Sequence, residues 1–188
     1  MVLETMRLRL RPWRDEDATQ LYLYAREPKV ADACGWLAHK DEGYSRAVIR
    51  TVLKHEGTFA ITLKNSRDLP IGSIGIRTGS NPANGVPEDG GEIGYWLGMP
   101  FWNNGYATEA LACMTDYGFR EKALSQIICT YHDGNLRSAR VMEKCGFIYH
   151  HTVEEHYNPM LHRAYRVHFM EITKDRWKML TYNQAGLS

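Results

Sequence analysis

Between a short apolar run, Ile93 to Leu97, and a helix expected from Thr108 to about Glu121 lies the stretch Trp102-Asn103-Asn104-Gly105-Tyr106-Ala107-Thr108. Such a turn can hold an anion through its backbone alone. The first N–H groups of a helix have no partner inside it, and the aligned peptide dipoles leave that end positive. A phosphate or pyrophosphate suits such a pocket. Gly105 lets the backbone approach a ligand closely, and Ala107 leaves the next turn unobstructed. Neither the dinucleotide fingerprint G-x-G-x-x-G nor the P-loop G-x-x-x-x-G-K-[ST] is present. Taken alone, the stretch also reads as a tight strand-to-helix connection with no ligand. Glu109, in the first helical turn, must point away from an anion if the phosphate reading is to hold.

A second strand–turn–helix follows. Gln126 to Tyr131 is strand-like, and Asp133-Gly134-Asn135 carries turn chemistry that can cap a helix. Ser138, Val141, Met142 and Cys145 then recur at helical spacing, and Gly146 suits the stop. The two segments together resemble the GNAT superfamily of N-acetyltransferases, in which Q/R-x-x-G-x-G/A at the head of a helix holds the pyrophosphate of coenzyme A. Here Trp102 replaces the usual Gln or Arg, and Asn103-Asn104 replace a more usual Gly-Lys pair. The closer similarity is to RimJ/RimL-type proteins, which acetylate the N-termini of ribosomal proteins. It rests on Gly94-Tyr95-Trp96-Leu97, Trp102, Gly105-Tyr106-Ala107-Thr108-Glu109-Ala110, the opening Arg7-Leu8-Arg9-Leu10-Arg11-Pro12 with Asp17, Asn135 with Ser138, and Gly146-Phe147. It spans Met6 to Trp177.

The resemblance implies a mixed α/β fold: a central, mostly antiparallel, twisted sheet of about seven strands, splayed between the fourth and fifth, with about four flanking helices. It implies acetyl-CoA as cosubstrate, with the pyrophosphate on Trp102 to Thr108 and the pantetheine arm in the splay. Tyr95, Trp96 and Leu97 would pair with the pantetheine amides, and a backbone N–H near Leu97, at a strand bulge, would face the thioester carbonyl. Asn135 would bond the pantetheine or serve as a plain helix cap. Glu92 becomes the candidate base and Ser138 the candidate group at the leaving thiolate, with Tyr131 and Tyr106 as alternative hydroxyls. Read blandly, Glu92 is a carboxylate on a solvated strand end and Ser138 bonds a turn carbonyl. Trp36, Glu154 and Tyr157 are substrate-side candidates. The acceptor is expected to be the α-amine of a protein or peptide N-terminus; the alternatives are a small amine (an aminoglycoside, a polyamine or an amino acid) and a non-catalytic coenzyme A sensor.

The elements needed to place these groups can be read along the chain. Arg7 to Arg11 alternates Leu with Arg, as on a strand with one polar face, and Pro12 ends it. A helix runs to about Arg26 and is closed by Pro28, and a second spans about Glu42 to His55. Phe59 to Leu63 and Pro70 to Arg77 form a hairpin in which Gly72 and Gly75 mark a bulge. Thr78 to Gly91 is a polar connection long enough for a mobile lid. Phe147 to about Glu154 and Arg163 to Ile172 are the last strands, followed by a short helix and a frayed end from Asn183 to Ser188. One domain, 6–177, with a tail, 178–188, is expected.

Bulk properties narrow the classes. The 188 residues carry a formal net charge of +1, so no global field steers the chain to nucleic acid. There is no run of about eighteen apolar residues and no signal-peptide core, which makes the cytoplasm the expected compartment. The 4 Cys lack a C-x-x-C spacing and read as buried free thiols. Of the 8 His, His150, His151, His156, His162 and His168 cluster late in the chain but match no zinc spacing, so no metal is expected. On a regular strand His150 and His151 would face opposite ways. A homodimer is an expectation by analogy with the fold alone.

Overall fold

The computed structural model describes residues 1–185. In chain order the elements are β1 (Leu3–Glu4), β2 (Leu8–Arg11), α1 (Ala18–Ala25), α2 (Pro28–Cys34), α3 (Glu42–Val48), β3 (Thr58–Leu63), β4 (Pro70–Thr78), β5 (Gly91–Leu97), α4 (Tyr106–Arg120), β6 (Gln126–His132), α5 (Leu136–Lys144), β7 (Ile148–Asn158), β8 (Arg163–Thr173) and α6 (Lys174–Ala185). The strands form one 8-stranded sheet in the order β1-β2-β3-β4-β5-β6-β8-β7. All neighbours are antiparallel except β5 and β6.

That parallel pair is where the sheet opens. Gly91 to Ile93 pair with Ile127 to Cys129, and there the pairing of the two strands ends. Both strands continue, to Leu97 and His132, because each keeps its outer partner: β5 stays on β4 from Gly72↔Leu97 to Thr78↔Gly91, and β6 stays on β8 from Gln126↔Thr173 to His132↔Val167. The result is a wedge with two ordered walls.

Apolar side chains cover both faces of the sheet. Ala110, Leu111, Met114, Tyr117 and Phe119 of α4 are buried at helical spacing against Leu8, Leu10, Ile61, Ile74, Ile76, Ile93 and Ile127. Gly118 permits the close helix–sheet approach, since a Cβ there would lie 2.8 Å from Ile127 Cδ1. On the other face Trp13, Leu21, Ala25, Val30, Ile49 and Trp96 form a second cluster. Helix α3 runs on as one π-helical turn, Ile49–Leu53, in which the Lys54 N–H donates to the Ile49 carbonyl at 2.8 Å. Among the described residues no helix is long and apolar enough to cross a membrane.

Several expectations need correction. Pro28 does not close α1; it is the first residue of α2, where its missing N–H costs nothing, and that helix ends at Gly35 with φ 72°. Arg11 is not on a solvated strand face. It is 2% exposed and grips Asp17 through two nitrogens at 2.7 and 2.8 Å, with Asp68 Oδ2 at 2.9 Å from Nε. The bulge beside Gly72 is present, at the register shift between Ile61 and Thr62, and Gly72 is required there because a Cβ would lie 2.2 Å from the Trp96 carbonyl oxygen. No bulge interrupts β5 near Leu97, whose ladder with β4 is unbroken. His150 and His151 do not face opposite ways: a register shift between Tyr149 and His151 brings their rings to 4.7 Å. Helix α6 reaches Ala185, and the last three residues of the expected frayed end, 186–188, lie outside the described residues.

Candidate active site

Helix α4 opens on backbone built for an anion. Asn103 (φ 62°) and Gly105 (φ 78°) are both left-handed, which folds the turn back over the helix start. No side chain caps this helix, and among the described residues nothing accepts from the N–H groups of Tyr106, Ala107 and Thr108. Glu109 is turned away from them. Its carboxylate accepts from the Arg7 backbone N–H and Arg7 Nε, both at 2.7 Å, and from the Thr5 hydroxyl. Burial tends to raise its pKa, but the Thr5 and Arg7 hydrogen bonds outweigh this and hold the carboxyl below its usual range. Arg7 also ties the turn itself, donating from Nη1 to the Asn104 carbonyl at 3.0 Å and covering the Tyr106 ring at 4.6 Å.

From this helix start a cavity of about 300 Å³ runs into the wedge, lined by Tyr95 to Leu97, Trp102 to Thr108 apart from Asn104, and the face of α5 that carries Asn135, Ser138 and Val141. Trp102, in its lining, is fixed by its indole N–H, which donates to the Leu97 carbonyl at 2.7 Å, while the Arg137 guanidinium sits 4.0 Å over its ring. Arg137, Arg140 and Lys144 bring three cations to this cavity. The sequence reading passed over them, although their i, i+3, i+7 spacing is a helical stripe.

On the other side of the wedge lies a broader cavity of about 940 Å³. Glu92, Gly94, Trp96, Trp36 and His132 line it. Asn81 and Asn84 hold Glu92, donating to Oε2 at 3.2 and 3.0 Å. These amides come from the expected lid, which is pinned rather than free: Val86 is 3% exposed in a cluster with Ile128, Val167 and Phe169. Trp36 packs edge-on to Trp96 at 5.5 Å, and its Nε1 is buried with no partner among the described residues. Cys34 also lines this cavity, its thiol pushed up to about 12 by burial. Glu154 and Tyr157 line neither cavity. Glu154 pairs with Arg166 at 3.0 Å, and Tyr157 is an exposed residue of β7 opposite Ala164.

The two cavities share Ala33, Tyr95, Trp96, Asn135 and Ser138. At this throat the Tyr95 hydroxyl lies 2.8 Å from Ser138 Oγ. Burial raises the Tyr95 pKa further above its usual value, so the group stays a protonated donor. Asn135 caps α5 by accepting from the Ser138 N–H at 3.3 Å. Tyr131 lines the broad cavity but not the narrow one, and Tyr106 the reverse.

An open parallel strand pair, an uncapped helix start and a two-sided throat are what acyl transfer from a long phosphorylated carrier needs. A model of the acetyltransferase (GNAT) domain matches residues 7–148. The chain belongs to the GNAT acetyltransferase family. It is 31% identical over 152 residues to an uncharacterized N-acetyltransferase, p20, of Bacillus licheniformis, a match covering 77% of this chain and 81% of that one. The structure of a GNAT-family acetyltransferase from Bacillus anthracis superposes with a TM-score of 0.80 at 23% identity, over 93% of this chain and 99% of the other. A Vibrio cholerae protein provisionally named a ribosomal-protein-serine acetyltransferase superposes with a TM-score of 0.73 at 16% identity, over 92% and 97%. At these identities the structural likenesses concern the fold.

As a GNAT enzyme the protein is an acetyltransferase, and this family takes acetyl-CoA as cosubstrate. The chain's own features fit that molecule: three N–H groups lacking acceptors, a narrow cavity leading inward from them, and a cationic stripe along its rim. Among the described residues no group of three or more His, Cys, Asp or Glu side chains could hold a metal ion.

Proposed function

We propose that the protein transfers acetyl from acetyl-CoA to the α-amine of a protein or peptide N-terminus, in the cytoplasm, by direct attack in a ternary complex. The observation that carries this reading is the meeting of a narrow cavity and a broad one at the Tyr95–Ser138 hydrogen bond, with Glu92 on the broad side. The backbone of Trp102 to Thr108 would hold the pyrophosphate. Tyr95 to Leu97 and Asn135 would line the pantetheine arm. The amine nitrogen forms the new C–N bond as the C–S bond breaks. Glu92 takes the amine proton, directly or through water. Ser138 donates to the departing thiolate, and Tyr95 donates to Ser138, which leaves the serine O–H free to point at sulfur.

A nucleophilic thiol is not needed for this route, and Cys34 is a poor candidate for one, because a thiol pushed up to about 12 carries almost no thiolate at neutral pH. An α-amine, with pKa ~7.7–8.0, needs little help to become neutral, whereas a lysine amine, at ~10.4, needs a strong base. Glu92 held by two neutral amides suits the easier task. The provisional name of the Vibrio cholerae relative and the RimJ/RimL-like motifs point the same way. Unpaired cysteines agree with a reducing compartment.

The test is calorimetric titration of acetyl-CoA into wild type and Gly105→Asp, followed by thiol-release assays with N-terminal peptides. Binding lost in the variant and turnover with free α-amines would support the reading. No binding to wild type would overturn it.

A further inference from the structure

The floor of the broad cavity is bare. Along β5, Glu92, Gly94 and Trp96 share one face, and β4 sets Arg77, Gly75 and Ser73 beside them in register. At the centre of this strip two glycines are paired, Gly75↔Gly94. Gly94 is exposed, is not in the left-handed region, and a Cβ there would meet nothing within 4 Å. Neither backbone conformation nor packing demands glycine at this position. What glycine provides is space over the sheet, directly between the Glu92 carboxylate and the Trp96–Trp36 pair.

Part of the wall above this floor is apolar. The π-helical turn carries Val52, 57% exposed, and Leu37 (54%) and Met160 (51%) line the same cavity. Large apolar side chains left this open, around one cavity, have given up burial that another surface can supply. Several polar members of the lining are held by neighbours, while Arg77 stands beside Glu92 in register at the edge of the floor. His39 Nδ1 lies 2.8 Å from Ser45 Oγ, His55 bonds the Thr51 carbonyl at 2.9 Å, and Glu56 is paired with Lys122. Burial pushes His39 and His132 below the ordinary imidazole value, so neither adds a cation at neutral pH.

We infer that the acceptor is an amine with an apolar body: its nitrogen points to Glu92, and its first side chain lies on the Gly75–Gly94 floor against Trp36 and Val52. The inference rests on the acetyltransfer proposed above and narrows its substrate to N-termini that begin with an apolar residue. Gly94 then sets acceptor size.

The experiment compares two peptides that differ only at the first residue, Leu or Asp, with wild type and Gly94→Val. Valine suits an exposed strand position, so melting temperature and acetyl-CoA affinity should hold. The expected result is a kcat/KM about 10-fold or more higher for the Leu-led peptide, from burial of one leucine side chain. In Gly94→Val the KM for that peptide should rise about 10-fold. Equal efficiency for the two peptides, or an unchanged KM in the variant, would overturn the inference. If neither peptide is acetylated, the N-terminal acceptor reading fails by itself, and calorimetry of both peptides against the coenzyme A complex still decides this one. Selective binding of the Leu-led peptide, lost in Gly94→Val, supports the inference, and indifferent binding sinks it.

Discussion

At the throat, the proposed route has two hydroxyls act as one unit. Tyr95 cannot serve as a strong acid, because burial raises its pKa; in the proposed route it donates to Ser138 Oγ, 2.8 Å away, and polarises the Ser138 O–H toward a developing thiolate. Tyr95→Phe should therefore lower kcat about 10-fold with little change in the acetyl-CoA KM, and Ser138→Ala should lower it at least as much. The double variant should resemble Ser138→Ala, because groups in one chain of hydrogen bonds are not additive. Steady-state rates of the three variants check this, and effects that multiply would show that the two residues act separately. Glu92 calls for a different measurement. Glu92→Gln keeps the shape and the Asn84 contact but removes the proposed base. Peptide α-amines should lose about 10-fold or less, with the loss shrinking as pH rises through the amine pKa of ~7.7–8.0. A loss that persists unchanged at high pH would assign Glu92 to binding instead.

Helix α5 serves the narrow cavity with two adjacent strips: Asn135 and Ser138 at the throat, and Arg137, Arg140 and Lys144 beside them. If the stripe meets phosphates, Arg140→Ala should weaken acetyl-CoA binding several-fold at low salt and much less at high salt, since exposed charge attraction is screened within about 10 Å at 0.1 M. Titrations at two ionic strengths measure it; a salt-independent loss would mean that Arg140 acts through packing. This stripe is as legible as the helix itself, because Arg137, Arg140 and Lys144 recur at the same helical spacing as Ser138, Val141, Met142 and Cys145. Other elements were legible because local chemistry decides them: the turn at Gly134, the alternation in β2, and a helix after Gly105, which begins at Tyr106, two residues ahead of the expected Thr108. Pro28 misled because proline both follows helices and begins them, and only the chain's path after Ala25 separates the two. The contact of His150 with His151 and the pairing of Tyr95 with Ser138 depend on a bulge and on packing between residues 43 apart, which no local pattern records.

Across the whole molecule, the wedge exists because each wall is secured elsewhere, and on the β2–β4 side a buried ionic knot contributes. Arg11 on β2 joins Asp17, at the head of α1, to Asp68, in the turn before β4, and Arg14 reaches Asp68 from outside at 3.2 Å. Apolar alternation in β2 foretold the core positions of Leu8 and Leu10 but not this use of Arg11, since an arginine is buried only when partners far along the chain arrive to satisfy it. The knot makes a pH prediction. Burial tends to raise the Asp68 pKa, but the Thr62 hydroxyl and the Arg11 and Arg14 guanidiniums outweigh it, so the folded carboxyl titrates below its ordinary value. A carboxyl lowered on folding contributes stability in full above the unfolded pKa, ~3.9, and loses it as pH falls through the lower folded value. Asp68→Asn removes that titration. The variant should be less stable than wild type at pH 7 by about 1–2 kcal/mol, the scale of a hydrogen bond to a charged group. The gap should hold from pH 7 to 5 and then close below pH 4, as wild-type Asp68 takes up its proton. Urea unfolding at pH 7, 5 and 3 tests this, and a gap unchanged at pH 3 would show that the amide's shape, and not the carboxylate's charge, accounts for the difference.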